Sequence, residues 1–166
     1  FSTEIGRDSE RLREWLGGAL EEHPPDAVRL MEFPWNLIQA NGAELIRQCR
    51  GGPHNGRIDA GAHLLAEGAI HVARGARVMP GVVLNAEDGP ILIDREALIQ
   101  PNAVIEGPCY IGPKSIIRPG ASIRSGTTIG PVCKIGGEVE CSIFQGFSNK
   151  QHDGFLGHSY LGRWIN

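Results

Sequence analysis

The chain has 166 residues with 16 Lys and Arg against 19 Asp and Glu, a formal net charge of -3, which offers no basic footprint for nucleic acid and no polybasic run for an anionic membrane. Its 23 Gly and 11 Pro, with only 6% aromatic residues, favour many short strands joined by turns over long helices, and the length suits one domain with an appendage. Cys49, Cys109, Cys133 and Cys141 form no C-x-x-C pair and follow no signal peptide, so reduced thiols and a cytoplasmic location are expected.

In chain order, residues 8–21 place Leu12, Trp15, Leu16, Ala19 and Leu20 at helical spacing behind Asp8 or Ser9 as a cap. This predicts an amphipathic helix, weakened at Gly17-Gly18 and ended by Pro24-Pro25. A second helix is predicted from Pro34 through Trp35, Leu37, Ile38, Ala43, Leu45 and Ile46, closed by Gly51-Gly52-Pro53. The chain divides into a helical segment over residues 1–54 and a second region over residues 55–166 in which the rhythm changes.

From Ile93 an isoleucine recurs every sixth residue, at Ile99, Ile105, Ile111, Ile117, Ile123, Ile129 and Ile135, with Cys141 in register. Val72, Val78 and Leu84 keep the same phase upstream, and the nine-residue step from Leu84 to Ile93 marks a three-residue insertion around residues 85–90. A period of six fits neither a helix nor an alternating hairpin sandwich. It fits a parallel β-helix in which each hexad is a short strand plus a turn, and turns of about 18 residues stack roughly 4.8 Å apart. The expected fold is therefore mainly β, a parallel β-helix of hexapeptide repeats preceded by one or two α-helices. Three inward ladders follow: Ile93, Ile111 and Ile129; Ile99, Ile117 and Ile135; Ile105, Ile123 and Cys141. Glycines near the corners supply backbone angles closed to other residues.

After Ile135 the hexads falter, and polar groups gather in GGEVECSIFQGFSNKQHDGFLGHSYLGRWIN, among them Glu138, Glu140, Asn149, Lys150, His152, Asp153, His158 and Tyr160. Regularity that breaks where titratable groups collect is the pattern of a site carried on a scaffold. Cys141 reads as core, and Glu138 and Glu140 as solvated outward residues. His54, His63 and His71 read as ordinary histidines: a zinc site of the β-helix carbonic anhydrase kind needs a close pair five residues apart, whereas His152 and His158 are six apart. No metal is expected.

Several strings carry a resemblance. RPGA at 118–121, then GGEVE, HSYLG at 158–162 and a final Asn resemble the β-helix acyltransferase half of bifunctional glucosamine-1-phosphate acetyltransferase/N-acetylglucosamine-1-phosphate uridylyltransferases. PWNLI at 34–38 with SNKQHDGFLGHSYLG is more similar to related sugar-nucleotidyltransferase proteins, in which a nucleotidyltransferase domain joins such a β-helix through a helical linker. The resemblance spans about residues 30–166; its hexads are common to many acyltransferases, and the string over 137–162 is far more specific.

The resemblance implies a left-handed winding, a homotrimer with sites between subunits, acetyl-CoA as co-substrate with none tightly bound, and an amino-sugar phosphate as acceptor. It makes residues 1–54 the linker or remnant of an upstream nucleotidyltransferase domain and residues 55–166 an acyltransferase-like domain cut short at its C-terminus. Arg118 matches the arginine that contacts the sugar phosphate. The family's H-x-x-Y base and sugar contact are met by His158 and Tyr160, one residue short, and His152 stands as a second candidate base. Glu140 replaces a phosphate-binding lysine, which Lys150 can substitute, and Asn166 matches an asparagine after which the acetyl-CoA-binding turns continue. The chain, which has no initiator Met, is read as a piece of a longer polypeptide, inactive or nearly so by itself. Acyl transfer to an amine needs a neutral base near pH 7, the province of histidine, and a guanidinium suits a phosphate. The competing expectation, from the shifted His and the Lys-to-Glu change, is a non-catalytic oligomerisation or regulatory module of a nucleotidyltransferase.

Overall fold

The computed structural model describes residues 31–166. The helix expected over residues 8–21 lies outside the described residues. The second expected helix is present as α1 (Pro34–Gln48). Pro34 opens it, where the missing N–H would have had no partner in any case. The entry is closed reciprocally: the Phe33 N–H donates to Asn36 Oδ1 at 3.0 Å, and the Asn36 N–H donates to Phe33 O at 3.0 Å.

From Arg57 the chain winds as a parallel β-helix, each of six turns laying one short strand into each of three six-stranded sheets. The first face holds Arg57–Ile58, Arg77–Val78, Leu98–Ile99, Ile116–Ile117, Lys134–Ile135 and Asn149–Lys150. The second holds His63–Leu65, Val83–Asn85, Val104–Glu106, Ser122–Ile123, Glu138–Glu140 and Phe155–Gly157. The third holds Ile70–Val72, Ile91–Ile93, Cys109–Ile111, Thr127–Ile129, Ile143–Gly146 and Tyr160–Arg163.

All eight isoleucines of the hexad series are fully buried, each at 0% exposure, and they stack as the period requires. On the third face Val72, Ile93, Ile111, Ile129, Phe144 and Leu161 lie in register. On the first face the column is Ile58, Val78, Ile99, Ile117 and Ile135. The insertion expected near residues 85–90 is the loop between Val83–Asn85 and Ile91–Ile93. The lowest turn carries another that the spacing did not announce, a short 3-10 turn at Glu67–Ala69.

One ladder differs. On the second face Leu64, Leu84, Ile105 and Ile123 are followed by Val139, two residues before the expected Cys141. The cause is the preceding corner: Gly136-Gly137 makes in two residues the bend that Arg118-Pro119-Gly120-Ala121 makes one turn below. Cys141 is displaced to the next corner, half-buried, with φ 42° and its thiol directed at Ser125 O at 3.6 Å.

Glycines supply the positive φ, as expected, at the corners between the first and second faces, where Gly61, Gly81, Gly120, Gly137 and Gly154 do so, but another row of corners departs from this. Between the third and first faces the left-handed residue of successive turns is Gly75, Glu96, Lys114, Val132, Phe147 and Trp164. Such angles are unfavourable for non-glycine residues. Stacking holds them: Lys114, Val132 and Phe147 each donate their N–H to a carbonyl of the turn below, Arg95 O at 3.1 Å, Pro113 O at 2.9 Å and Pro131 O at 2.8 Å. Helix α1 belongs to the same compact unit as the coil, Glu32–Asn166, and lies against third-face strands Cys109–Ile111, Thr127–Ile129 and Tyr160–Arg163.

Candidate functional site

The uppermost corner between the first and second faces opens as a cleft of about 340 Å³, bordered by Asn149, Lys150, His152, Asp153, Phe155 and Asn166. Its anchor is Lys150, which occupies the inward register position above Ile135. A lysine there cannot leave its ammonium in the apolar column, so the side chain turns to the corner. Nζ donates to Gly136 O at 2.8 Å, Gly154 O at 2.7 Å and His152 O at 3.1 Å, which engages all three of its protons. Burial pushes the Lys150 pKa down, and the Asp153 carboxylate opposes that shift. Gly137 makes the arrangement feasible: at φ 68° it turns the chain, and a Cβ there would lie 2.7 Å from Gly154 O and 2.8 Å from Lys150 Nζ.

The far wall is held by Ser148, a fully buried hydroxyl. It donates to Gly146 O at 3.0 Å or Gly162 O at 3.1 Å and accepts from the Ile165 N–H at 3.2 Å. The Asn149 N–H donates to Ile165 O at 2.8 Å. These bonds fold the chain back so that Asn166 borders the cleft beside Asn149. Phe155, 61% exposed, forms an aromatic edge on the second face.

Lys150, His152 and Asn166, singled out from the sequence, thus come together. Arg118 stands exposed on the same corner two turns below, its N–H donating to Ile135 O at 2.7 Å. His158 and Tyr160 lie elsewhere. His158 sits at the corner between the second and third faces with φ 49°, stacked beyond Cys141, and borders a separate opening of about 460 Å³ with Ile38, Gly42 and Ile46 of α1. Tyr160 is on the third face, where its hydroxyl accepts from Gln145 Nε2. His158 lies one corner on from His152, as residues six apart in a coil of hexads do.

The opposite flank of α1 encloses another opening of about 460 Å³ beside Leu45, Cys49, Leu92 and Tyr110. The Tyr110 hydroxyl donates to Asp94 Oδ2 at 2.8 Å, and burial followed by that bond pushes its pKa up. Cys109 is fully buried, and its thiol pKa is raised by desolvation. Gln151 and Phe155 are cleft residues not named from the sequence, and Asp153, named there only among the gathered polar groups, follows His152. Their corner, residues 151–154, has the usual four residues, so spacing does not mark it; the signal is the run of consecutive polar residues over 149–153.

Among the described residues no group of three or more His, Cys, Asp or Glu is placed to hold a metal ion. No helix among them is long and apolar enough to cross a membrane. No protein-family description matches the chain, and no curated protein matches it.

Proposed function

We propose that this β-helix, left-handed by its resemblance, is the acceptor-binding part of an acyltransferase. It would move an acyl group, acetyl in the first instance, from acyl-CoA to the amine of an amino-sugar 1-phosphate, within a sugar-nucleotide biosynthesis protein that also has a nucleotidyltransferase domain. One observation carries the reading: His152 borders a cleft with Asn166 and Asp153, and the exposed guanidinium of Arg118, without a side-chain partner among the described residues, stands on the same corner two turns below.

In this reading His152 is the base. Its imidazole accepts a proton from the acceptor amine as nitrogen attacks the thioester carbonyl; the C–N bond forms, the C–S bond breaks, and the proton passes to the departing CoA thiolate. Arg118 holds the phosphate, Asn166 lies within the cleft for a sugar hydroxyl, and exposed Phe155 offers a face for the ring. Lys150 acts by fixing the loop, because its ammonium is already bonded to three carbonyls. Tyr160 and His158 have no part in this cleft. The homotrimer and the acyl-CoA co-substrate come from the resemblance.

The test is acetyl-CoA turnover by the polypeptide that carries this β-helix, with amino-sugar phosphates as acceptors. His152→Ala should lower kcat by about 10²- to 10⁴-fold, while His158→Ala leaves it within a few-fold. No turnover with any amino sugar would support the second reading, a non-catalytic oligomerisation or regulatory module. That reading is favoured by the engagement of Lys150 and by Glu140 standing where the resembled family has a lysine.

A further inference from the structure

The first face carries two pairs of charged side chains at equivalent positions, one on the first and second turns and one on the fourth and fifth. In the lower pair, Asp59 follows the strand Arg57–Ile58 and donates its N–H to Val78 O at 2.9 Å. Arg77 precedes Val78. The two side chains meet, Arg77 Nη2 lying 2.6 Å from Asp59 Oδ2. In the upper pair, Arg118 follows the strand Ile116–Ile117 and donates its N–H to Ile135 O at 2.7 Å. Lys134 precedes Ile135. The backbone relation is the same, so the lower pair acts as a ruler: side chains from these two positions reach one another across adjacent turns.

The chemistry of the upper pair is opposite. Both members are cations, both are exposed, and among the described residues neither side chain has an ion-pair or hydrogen-bond partner. Of the carboxylates on nearby turns, Glu138 is held by Arg124 at 2.8 Å and Glu96 by Lys114 at 3.7 Å, while Asp153 borders the cleft above. Gly136 stands directly above Arg118 and adds no side chain; the Gln151 backbone closes over it, a Cβ there lying 2.4 Å from Gln151 O and 3.4 Å from Arg118 Cβ, and Asn149 lies above Lys134. Two cations on adjacent turns repel each other until an anion lies between them.

We propose that Lys134 is the second cation of an anion subsite shared with Arg118, and that its ligand is a dianionic phosphate monoester. A guanidinium and an ammonium on neighbouring turns together neutralise two charges and supply a planar fork plus a point donor. This deepens the function proposed above and rests on it: the phosphate would be that of the sugar 1-phosphate, with its amine toward His152.

Binding to the 166-residue chain is measured calorimetrically at low salt with three probes, glucosamine 1-phosphate, inorganic phosphate and glucosamine. The variants are Lys134→Gln, Arg118→Gln and, as a control with its own carboxylate partner, Lys114→Gln. The expected result is that Lys134→Gln and Arg118→Gln each weaken both phosphate probes by about ten-fold or more, with Lys114→Gln unchanged and glucosamine alone bound far more weakly. Loss with Arg118→Gln but affinity within two-fold of the parent for Lys134→Gln overturns the role of Lys134 and leaves the acyltransferase reading standing. Phosphate bound as tightly as the sugar phosphate, and weakened by both variants, supports the subsite and counts against the sugar. A parent that binds neither phosphate probe overturns both.

Discussion

Lys150 stands in register with Ile135, so an ammonium ends a column that is otherwise aliphatic from Ile58 upward. The side chain is not a stray polar group in a core. Its three protons tie Gly136 of the turn below to His152 and Gly154 of the loop above, which makes the position of the His152 loop a consequence of the ladder.

Replacing Lys150 by Met keeps the aliphatic stem and removes the donor from three carbonyls. Lys150→Met should lower stability by about 1–3 kcal/mol and raise amide exchange at residues 151–154 with little change in the lower turns. Uniform acceleration over all turns would show instead that the lysine supports the whole coil.

Asn41 pegs α1 to the coil: its Nδ2 donates to Gly126 O at 2.7 Å, and its Oδ1 accepts from Thr128 Oγ1 at 2.9 Å. Asn41→Ala removes both bonds, a loss of about 1–2 kcal/mol, but gains roughly 0.5 kcal/mol of helix propensity. The expected net effect is a small drop in melting temperature with a large rise in amide exchange confined to residues 34–48. Unchanged exchange in α1 would mean that the apolar contacts of Leu45 hold the helix unaided.

Asp59 is hydrogen-bonded by Arg77 and Arg57, and these bonds hold its pKa below the ordinary carboxylate value. A carboxylate depressed in the folded state binds fewer protons than in the unfolded chain, so its contribution is complete above the unfolded pKa, about 4, and is lost as pH falls through the folded value. The difference in melting temperature between parent and Asp59→Asn should therefore be constant from pH 6 to about pH 5 and shrink below about pH 4. A difference that grows on acidification would contradict the pairing.

Ile117 lies in mid-column between Ile99 and Ile135 and is fully buried. Ile117→Asp places an unpaired charge in the stack and should cost more than about 4 kcal/mol, abolishing cooperative melting of the coil, whereas Ile117→Val should cost about 0.5–1.5 kcal/mol. Since stacked turns support their neighbours, a variant with Asp at this position that melts like the parent would disprove the inward assignment.

The scaffold was legible because each repeat makes the same demand. One large aliphatic residue per strand has nowhere to go but the axis, and Ile93 to Ile135 state that demand without interruption. Helix α1 was legible despite Asn41-Gly42, a pair that reads locally as a turn. Its tolerance comes from the third face, where Asn41 finds partners and Gly42 lies near Gly126, a Cβ on it reaching 3.9 Å from Gly126 Cα. The displacement of Cys141 was not legible, because a two-glycine corner and a four-residue corner both bend the chain, and only stacking on the turn below decides which residue then faces inward.

By itself the sequence determined the period, the three faces, the columns as far as Ile135 and the place where regularity ends, since these follow from burying one side chain per six residues. Only the tertiary structure decided what happens beyond. It gave Val139 the place of Cys141, turned Lys150 from a free cation into the anchor of a loop, and set Arg118 and Lys134 across adjacent turns. Those outcomes depend on register between residues about 15–20 apart in sequence, which is fixed by the hydrogen bonds of one turn upon the next and by no local preference of the chain.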